Sequence, residues 1–66
     1  MKIRWRILGG GWKEVETNVK TVGELMNELG LSPEEYLPSV SGKLVTDDYE
    51  IKEGAEIQFV PVVSGG

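Results

Sequence analysis

The sequence predicts a single α+β domain in which one β-sheet packs against one main helix. The chain has 66 residues, its first segment alternates apolar and charged residues, and a later segment repeats apolar residues at helical spacing. A chain of this length holds one small domain and no more. Packing the apolar face of the sheet on the apolar stripe of the helix buries both surfaces together.

The first two strands are predicted to form a hairpin. Apolar and basic residues fall on opposite faces of the first strand: Ile3, Trp5 and Ile7 on one side, and Lys2, Arg4 and Arg6 on the other. A second strand is expected from Trp12 to about Val19. Gly9-Gly10-Gly11 fits a three-residue hairpin loop with glycine at the left-handed position. This loop predicts the pairs Arg6–Glu14, Arg4–Glu16, Trp5–Val15 and Ile3–Thr17, with Leu8 beside Trp12.

The helix is expected to begin after Thr21, because Thr21 and Glu24 have the spacing of a capping box. Gly30 suits the left-handed residue that ends a helix. Gly23, in the first turn, is expected to weaken the helix slightly. One apolar stripe follows from helical spacing: Val22, Leu25, Met26 and Leu29.

The remaining segments predict short elements. Ser32-Pro33-Glu34-Glu35 is typical of a helix start, limited here to about one turn. A strand near 39–40 turns at Ser41-Gly42 into 43–45, and Pro38 places that strand at a sheet edge. The last strand is expected from Glu56 to about Val60.

Pro61 is expected to limit the pairing of the last strand, so the sequence divides into a domain over residues 1–61 and a tail over residues 62–66. The predicted core consists of Ile3, Trp5, Ile7, Val15, Val22, Leu25, Met26, Leu29, Leu44, Ile51, Ile57 and Phe59.

Composition excludes several classes of function. The chain has no cysteine and no histidine, so the commonest nucleophile, general base and transition-metal ligands are missing, and no catalytic residue stands out. Its net charge is −4, which argues against direct nucleic-acid binding. The acids Asp47, Asp48 and Glu50 lack the spacing of a calcium loop. With no apolar run of membrane-spanning length and no signal peptide, a cytoplasmic, non-membrane protein without a bound metal or cofactor is expected.

Five segments in order resemble one known family. They are a leading hairpin, T-V-G-E-L from Thr21, V-S-G-K from Val40, D-Y-E-I-K-E-G from Asp48 and V-P-V-V-S-G-G from Val60. Together they resemble the ThiS/MoaD group of ubiquitin-like sulfur carriers, most closely its small archaeal members, some of which also modify proteins. The resemblance implies a β-grasp fold: a mixed four- to five-stranded sheet packed on one main helix, with the first and last strands parallel and central. One departure is Ser41, where relatives often have asparagine.

The resemblance also implies a function for the C-terminus. An activating enzyme would use ATP to adenylate Gly66, and sulfur from a persulfide would convert the acyl group to a thiocarboxylate. That sulfur would serve thiamin, molybdenum cofactor or tRNA thiolation. Gly65 and Gly66 lack side chains that would obstruct a narrow channel, and the acyl adenylate supplies the leaving group that a carboxylate lacks. Val62, Val63 and Ser64 complete the tail, in which the two valines offer apolar anchors.

Two alternatives remain open. Activated Gly66 would join a lysine of another protein if the chain is a modifier, or the sheet surface would bind a partner while the tail stays inert. A candidate partner surface consists of Leu8, Trp12, Arg4 and Arg6, although packing at the hairpin end explains Trp12 equally well and an ordinary charged sheet face is the preferred explanation of the two arginines. The expected partners are an adenylating enzyme and then a sulfur acceptor or substrate lysines, and the free protein is expected to be a monomer.

Overall fold

The structure, a computed structural model, describes residues 1–63. Its elements are β1 (Lys2–Ile7), β2 (Lys13–Glu16), α1 (Val22–Leu29), β3 (Tyr36–Val40), β4 (Lys43–Leu44) and β5 (Glu56–Pro61). The strands form one five-stranded sheet in the order β2-β1-β5-β3-β4. Strands β1 and β5 are parallel at its centre, and the other neighbours are antiparallel. A mixed sheet on one helix confirms the predicted β-grasp fold.

The predicted register of the first hairpin is wrong by two residues. Ile3 pairs with Val15 and Arg4 with Glu14, where the sequence predicted Thr17 and Glu16. The chain turns earlier than predicted: the Gly10 N–H donates to the Ile7 carbonyl at 2.8 Å and Gly9 has a φ of 89°, so the paired residues centre on Gly9 and not on Gly10. A shift of two residues keeps every side chain on its predicted face, because strand side chains alternate with a period of two. The apolar and charged faces therefore survive the error.

The core lies between the helix and one face of the sheet, which we call the inner face. Seven apolar residues are buried there: Ile3, Val22, Leu25, Met26, Ile51, Ile57 and Phe59. Four other predicted core residues pack against them while partly exposed: Trp5, Ile7, Val15 and Leu29. The prediction for Leu44 is wrong, because its side chain is 65% exposed. Leu44 pairs with Ser39, which pairs with Gln58, and this row points away from the helix.

Helix α1 has the predicted ends. The Thr21 hydroxyl accepts a hydrogen bond from the Glu24 N–H at 3.3 Å, and Gly30 closes the helix with a φ of 76°. Gly23 has a packing role that its helix propensity does not reveal. Its N–H donates to the Asp47 carbonyl at 2.8 Å, and a Cβ on Gly23 would lie 3.1 Å from that same oxygen. The loop before β5 therefore lies directly against the first helical turn.

Strand β3 is not the edge strand that Pro38 predicted, because β4 flanks it. The two-residue β4 pairs only with Ser39 and Val40, so Pro38 lies beyond the end of that ladder and its missing N–H breaks no pair there. The turn from β3 to β4 has positive φ at Ser41 (54°) and Gly42 (80°), as a type I′ hairpin turn requires.

Candidate functional site

The face of the sheet opposite the helix, which we call the outer face, is arranged in rows across the strands. Residues that are paired between strands point to the same side, so the register gives each row. A charged row contains Glu14, Arg4 and Glu56. The next row contains Arg6, Gln58, Ser39 and Leu44. In the third row, nearest the C-terminal end of β5, Val60 pairs with Leu37, and Leu8 follows β1 beside them with its N–H donating to the Phe59 carbonyl.

The third row forms an apolar strip, defined here as Leu8, Val60 and Leu37. Leu8 is 51% exposed and Leu37 is 41% exposed. Leu44 lies in the neighbouring row, paired with Ser39, and Val62 follows Val60 by two residues along the chain. Single exposed leucines are ordinary on protein surfaces, whereas neighbouring apolar side chains on one face of a sheet form a shared apolar area. Of these residues the sequence analysis proposed only Leu8 and Val62 for contacts with a partner.

The predicted partner residues Trp12, Arg4 and Arg6 do come together on the outer face. The Arg6 guanidinium carbon lies 4.9 Å from the centre of the Trp12 ring, and that of Arg4 lies 5.9 Å away. Arg6 Nε donates to Gln58 Oε1 at 2.7 Å, and an Arg4 terminal nitrogen meets Glu56 Oε2 at 3.1 Å. The two arginines therefore lie under an aromatic ring and are already paired within the sheet. They form the polar part of the outer face beside the apolar strip.

The root of the tail, Pro61 and Val62, lies at the end of β5 beside the apolar strip. On the β1 side the ladder ends where the Leu8 N–H donates to the Phe59 carbonyl at 2.9 Å. The next donor of that parallel ladder belongs to residue 61, and proline has no N–H. On the β3 side pairing continues, because Pro61 pairs with Tyr36 and the Val62 N–H donates to the Glu35 carbonyl at 2.8 Å.

Pro61 therefore has a more selective effect than the sequence predicted. It ends the pairing of β5 with β1 but not the pairing of β5 with β3, so the strand extends to Pro61 and its last cross-strand bond reaches Val62. The Val62 side chain is 39% exposed and the Val63 side chain is 90% exposed. The other predicted tail residues, Ser64, Gly65 and Gly66, lie outside the described residues.

Three further observations concern residues 1–63: a groove, the acidic residues and the length of the helix. A groove on the outer face, whose lining includes Ser39, Glu56 and Gln58, is open to solvent, whereas small-molecule sites are usually enclosed. Within this range, the acidic residues form no group of three that could hold a metal ion. No helix in the described part of the chain is long and apolar enough to cross a membrane.

Comparison with known proteins agrees with this architecture. The ThiS family model matches residues 5–66. An uncharacterised protein from Archaeoglobus fulgidus is 34% identical over 68 residues, and the match covers 100% of both chains. The crystal structure of SAMP1 from Haloferax volcanii superposes with a TM-score of 0.72 at 19% identity, covering 100% of both chains. A structure described as Caldiarchaeum subterraneum ubiquitin gives a TM-score of 0.69 at 22% identity, covering 100% of this chain and 98% of that one.

The fold, with parallel central strands, one covering helix and a C-terminal segment leaving the last strand, defines a ubiquitin-like β-grasp protein. The two structural matches share this fold at low sequence identity. The family match covers nearly the whole chain and includes the C-terminal Gly65 and Gly66. The chain belongs to the ThiS family.

Proposed function

We propose that this protein is a carrier that is activated by adenylation of the Gly66 carboxylate and then thiocarboxylated at the same carbon. The observation that best supports this function is the position of the tail root. Pro61 and Val62 leave the centre of the sheet directly beside the exposed Leu8 and Leu37 and the half-buried Val60. A partner that binds the apolar strip would therefore also meet the start of the tail. Membership of the ThiS family supports the same assignment.

The chemistry requires little of the carrier itself. A carboxylate oxygen of Gly66 attacks the α-phosphorus of ATP, and pyrophosphate leaves. A persulfide sulfur then attacks the acyl carbon, AMP leaves, and reductive cleavage of the resulting acyl disulfide by a thiol releases the thiocarboxylate. The enzyme supplies the ATP site and the persulfide. The carrier supplies a docking face and a tail without bulky terminal side chains.

We assign the apolar strip to docking of the activating enzyme. Leucine and valine side chains favour binding when they become buried, because their apolar surface is removed from water. The Arg4–Glu56 and Arg6–Gln58 pairs on the same face present polar groups that a partner has to complement. Replacement of Leu8 or Leu37 by serine is expected to raise KM for adenylation about three- to tenfold, since Leu8 is 51% and Leu37 41% exposed and binding can still bury about half of a side chain whose full burial contributes about 1.5–3 kcal/mol.

The matched control for these variants is Tyr49→Ser. Tyr49 is also exposed, at 39%, but it lies in the loop that precedes β5 and outside the apolar strip. This variant is expected to leave KM within about twofold of the original value. Equal effects of Leu8→Ser and Tyr49→Ser would show that the strip has no special part in docking.

The first test of the function is the intact mass of the protein recovered from its own host. A gain in mass equal to the replacement of oxygen by sulfur, localised to Gly66, is the expected result. A variant lacking Gly65 and Gly66 is the control and is expected to show neither this gain nor ATP–pyrophosphate exchange with the host's activating enzyme. A protein that carries only the free acid, and that supports no exchange, would contradict the proposal.

A protein modifier is the second candidate, because the same acyl adenylate accepts an amine in place of sulfur. A lysine amine attacks the acyl carbon, AMP leaves, and an isopeptide bond to Gly66 forms. Denaturing blots of host extract separate the two functions: forms of higher mass joined through Gly66 would establish the modifier. If deletion of Gly65 and Gly66 leaves the cellular function intact, the chain acts instead as an interaction module through its outer face.

A further inference from the structure

We propose that the bond from the Val62 N–H to the Glu35 carbonyl is a positioning contact that sets how far the C-terminal carboxylate reaches into an activating enzyme. The inference rests on the proposed function and goes beyond it, because it assigns a role to a main-chain bond remote from the reacting carbon. Val62 and Glu35 are the positioning residues. Neither is proposed to touch ATP or the acyl group.

The acceptor side of this bond is held by its own turn. The Ser32 hydroxyl accepts from the Glu34 N–H at 3.2 Å, and the Ser32 carbonyl accepts from the N–H groups of Glu35 and Tyr36 at 3.0 Å each. These bonds fix the residues on both sides of the Glu35 carbonyl. The carbonyl is therefore presented to the end of β5 by a closed turn and not by a freely moving loop.

The donor side is isolated by Pro61. Because residue 61 cannot donate to β1, the chain beyond Phe59 has lost its bonds on that side. The Val62–Glu35 bond, 2.8 Å long, is then the last bond of the described β3–β5 ladder. One hydrogen bond thus decides whether the tail begins after Val62 or closer to the core. In an extended chain the Val63 N–H points to the opposite side, away from β3.

The residue at which the tail begins sets how far the C-terminal carboxylate can reach from the sheet. Four residues follow Val62 in the sequence, and an extended chain advances about 3.3–3.6 Å per residue, so the reach from Val62 is about 13–14 Å. Breaking the bond would free Pro61 and Val62, about two further residues at the same rate, because bonded pairs alternate in an antiparallel ladder and the next one is Val60–Leu37. Every residue freed in this way has to be ordered again when the tail enters a channel, which weakens binding without changing the reacting carbon.

The test replaces a single N–H group. The chain is short enough for chemical synthesis, and an ester in place of the amide at Val62, made with the corresponding hydroxy acid, removes only that donor. The matched control is the same replacement at Val63, whose N–H faces away from β3. We expect the Val62 ester to raise KM for adenylation about two- to tenfold with kcat unchanged, because a bond of this kind is worth up to about one factor of ten.

The control ester is expected to leave both constants unchanged within twofold. Equal KM values for the two esters, or a loss confined to kcat, would overturn the proposal. Amide exchange in the free protein gives an independent check: the Val62 N–H is expected to exchange at least tenfold more slowly than the Val63 N–H. Exchange at equal rates would show that the bond is too weak to position the tail.

The outcomes also separate this inference from the proposed function. If the unmodified protein is adenylated and the two esters behave alike, only the positioning role fails. If the unmodified protein supports no adenylation, the proposed function fails, and the positioning role fails with it even where Val62 is protected from exchange.

Discussion

Replacement of Gly23 by alanine gives opposite predictions from the sequence and from the structure. Gly23 occupies the first turn of α1. Helix propensity alone predicts that alanine stabilises this position by about 1 kcal/mol. In the structure, a Cβ at residue 23 lies 3.1 Å from both the Cβ and the carbonyl oxygen of Asp47. That oxygen cannot simply retreat, because it also accepts the 2.8 Å bond from the Gly23 N–H.

The magnitude follows from the two opposing effects. Overpacking of this kind costs about 1–3 kcal/mol, which exceeds or cancels the helix gain of about 1 kcal/mol. We therefore expect Gly23→Ala to lower the free energy of unfolding by about 1 kcal/mol and the Tm by about 4–8 °C. Urea and thermal unfolding followed by circular dichroism measure both quantities, and an unchanged urea m-value shows that only stability has changed.

The matched control is Asn27→Ala in the same helix. Asn27 is exposed, and alanine there is expected to add about 0.5 kcal/mol from helix propensity alone. A rise in stability for both variants would refute the argument, since it would mean that the Asp47 loop moves away from the helix at no cost. Opposite signs for the two variants would show that packing outweighs propensity at Gly23.

Three further predictions concern stability, and each is measured by the same urea titrations. Ser41→Asn is expected to stabilise the fold by about 0.5 kcal/mol, because asparagine tolerates the φ of 54° better than serine, and a lower midpoint would contradict this. Thr17→Val is expected to cost about 1–2 kcal/mol, because the buried Thr17 hydroxyl donates to Glu28 and accepts from the Val19 N–H, and an unchanged midpoint would show that these bonds add nothing. Leu44→Thr is expected to change the free energy of unfolding by no more than about 0.5 kcal/mol, because Leu44 lies exposed on the outer face. A loss of about 2 kcal/mol or more would show that Leu44 is instead a buried core residue.

Much of the fold could be predicted from local patterns. Alternation in β1, the helical stripe of α1 and the left-handed Gly30 each reflect a preference that acts within a few residues. The structure confirms all three. The hairpin register could not be predicted, because Gly9-Gly10-Gly11 permits several turn geometries and the pairing across the loop decides among them. Leu44 could not be placed either, since a two-residue strand has too short a pattern to show its inward side.

Some features of the candidate site could likewise be predicted from the sequence, and others depend on the fold. The order of the five family-like segments, with Gly65 and Gly66 in the last of them, is a property of the chain itself, and the resemblance that these segments carry predicted a carrier. The apolar strip exists only because β1, β5 and β3 lie side by side, which brings Leu8, Val60 and Leu37 together from three distant parts of the chain. Pro61 makes the same point at a single residue. The sequence shows that Pro61 has no N–H. Only the strand order shows that the missing bond is one to β1, while the pairing of β5 with β3 continues.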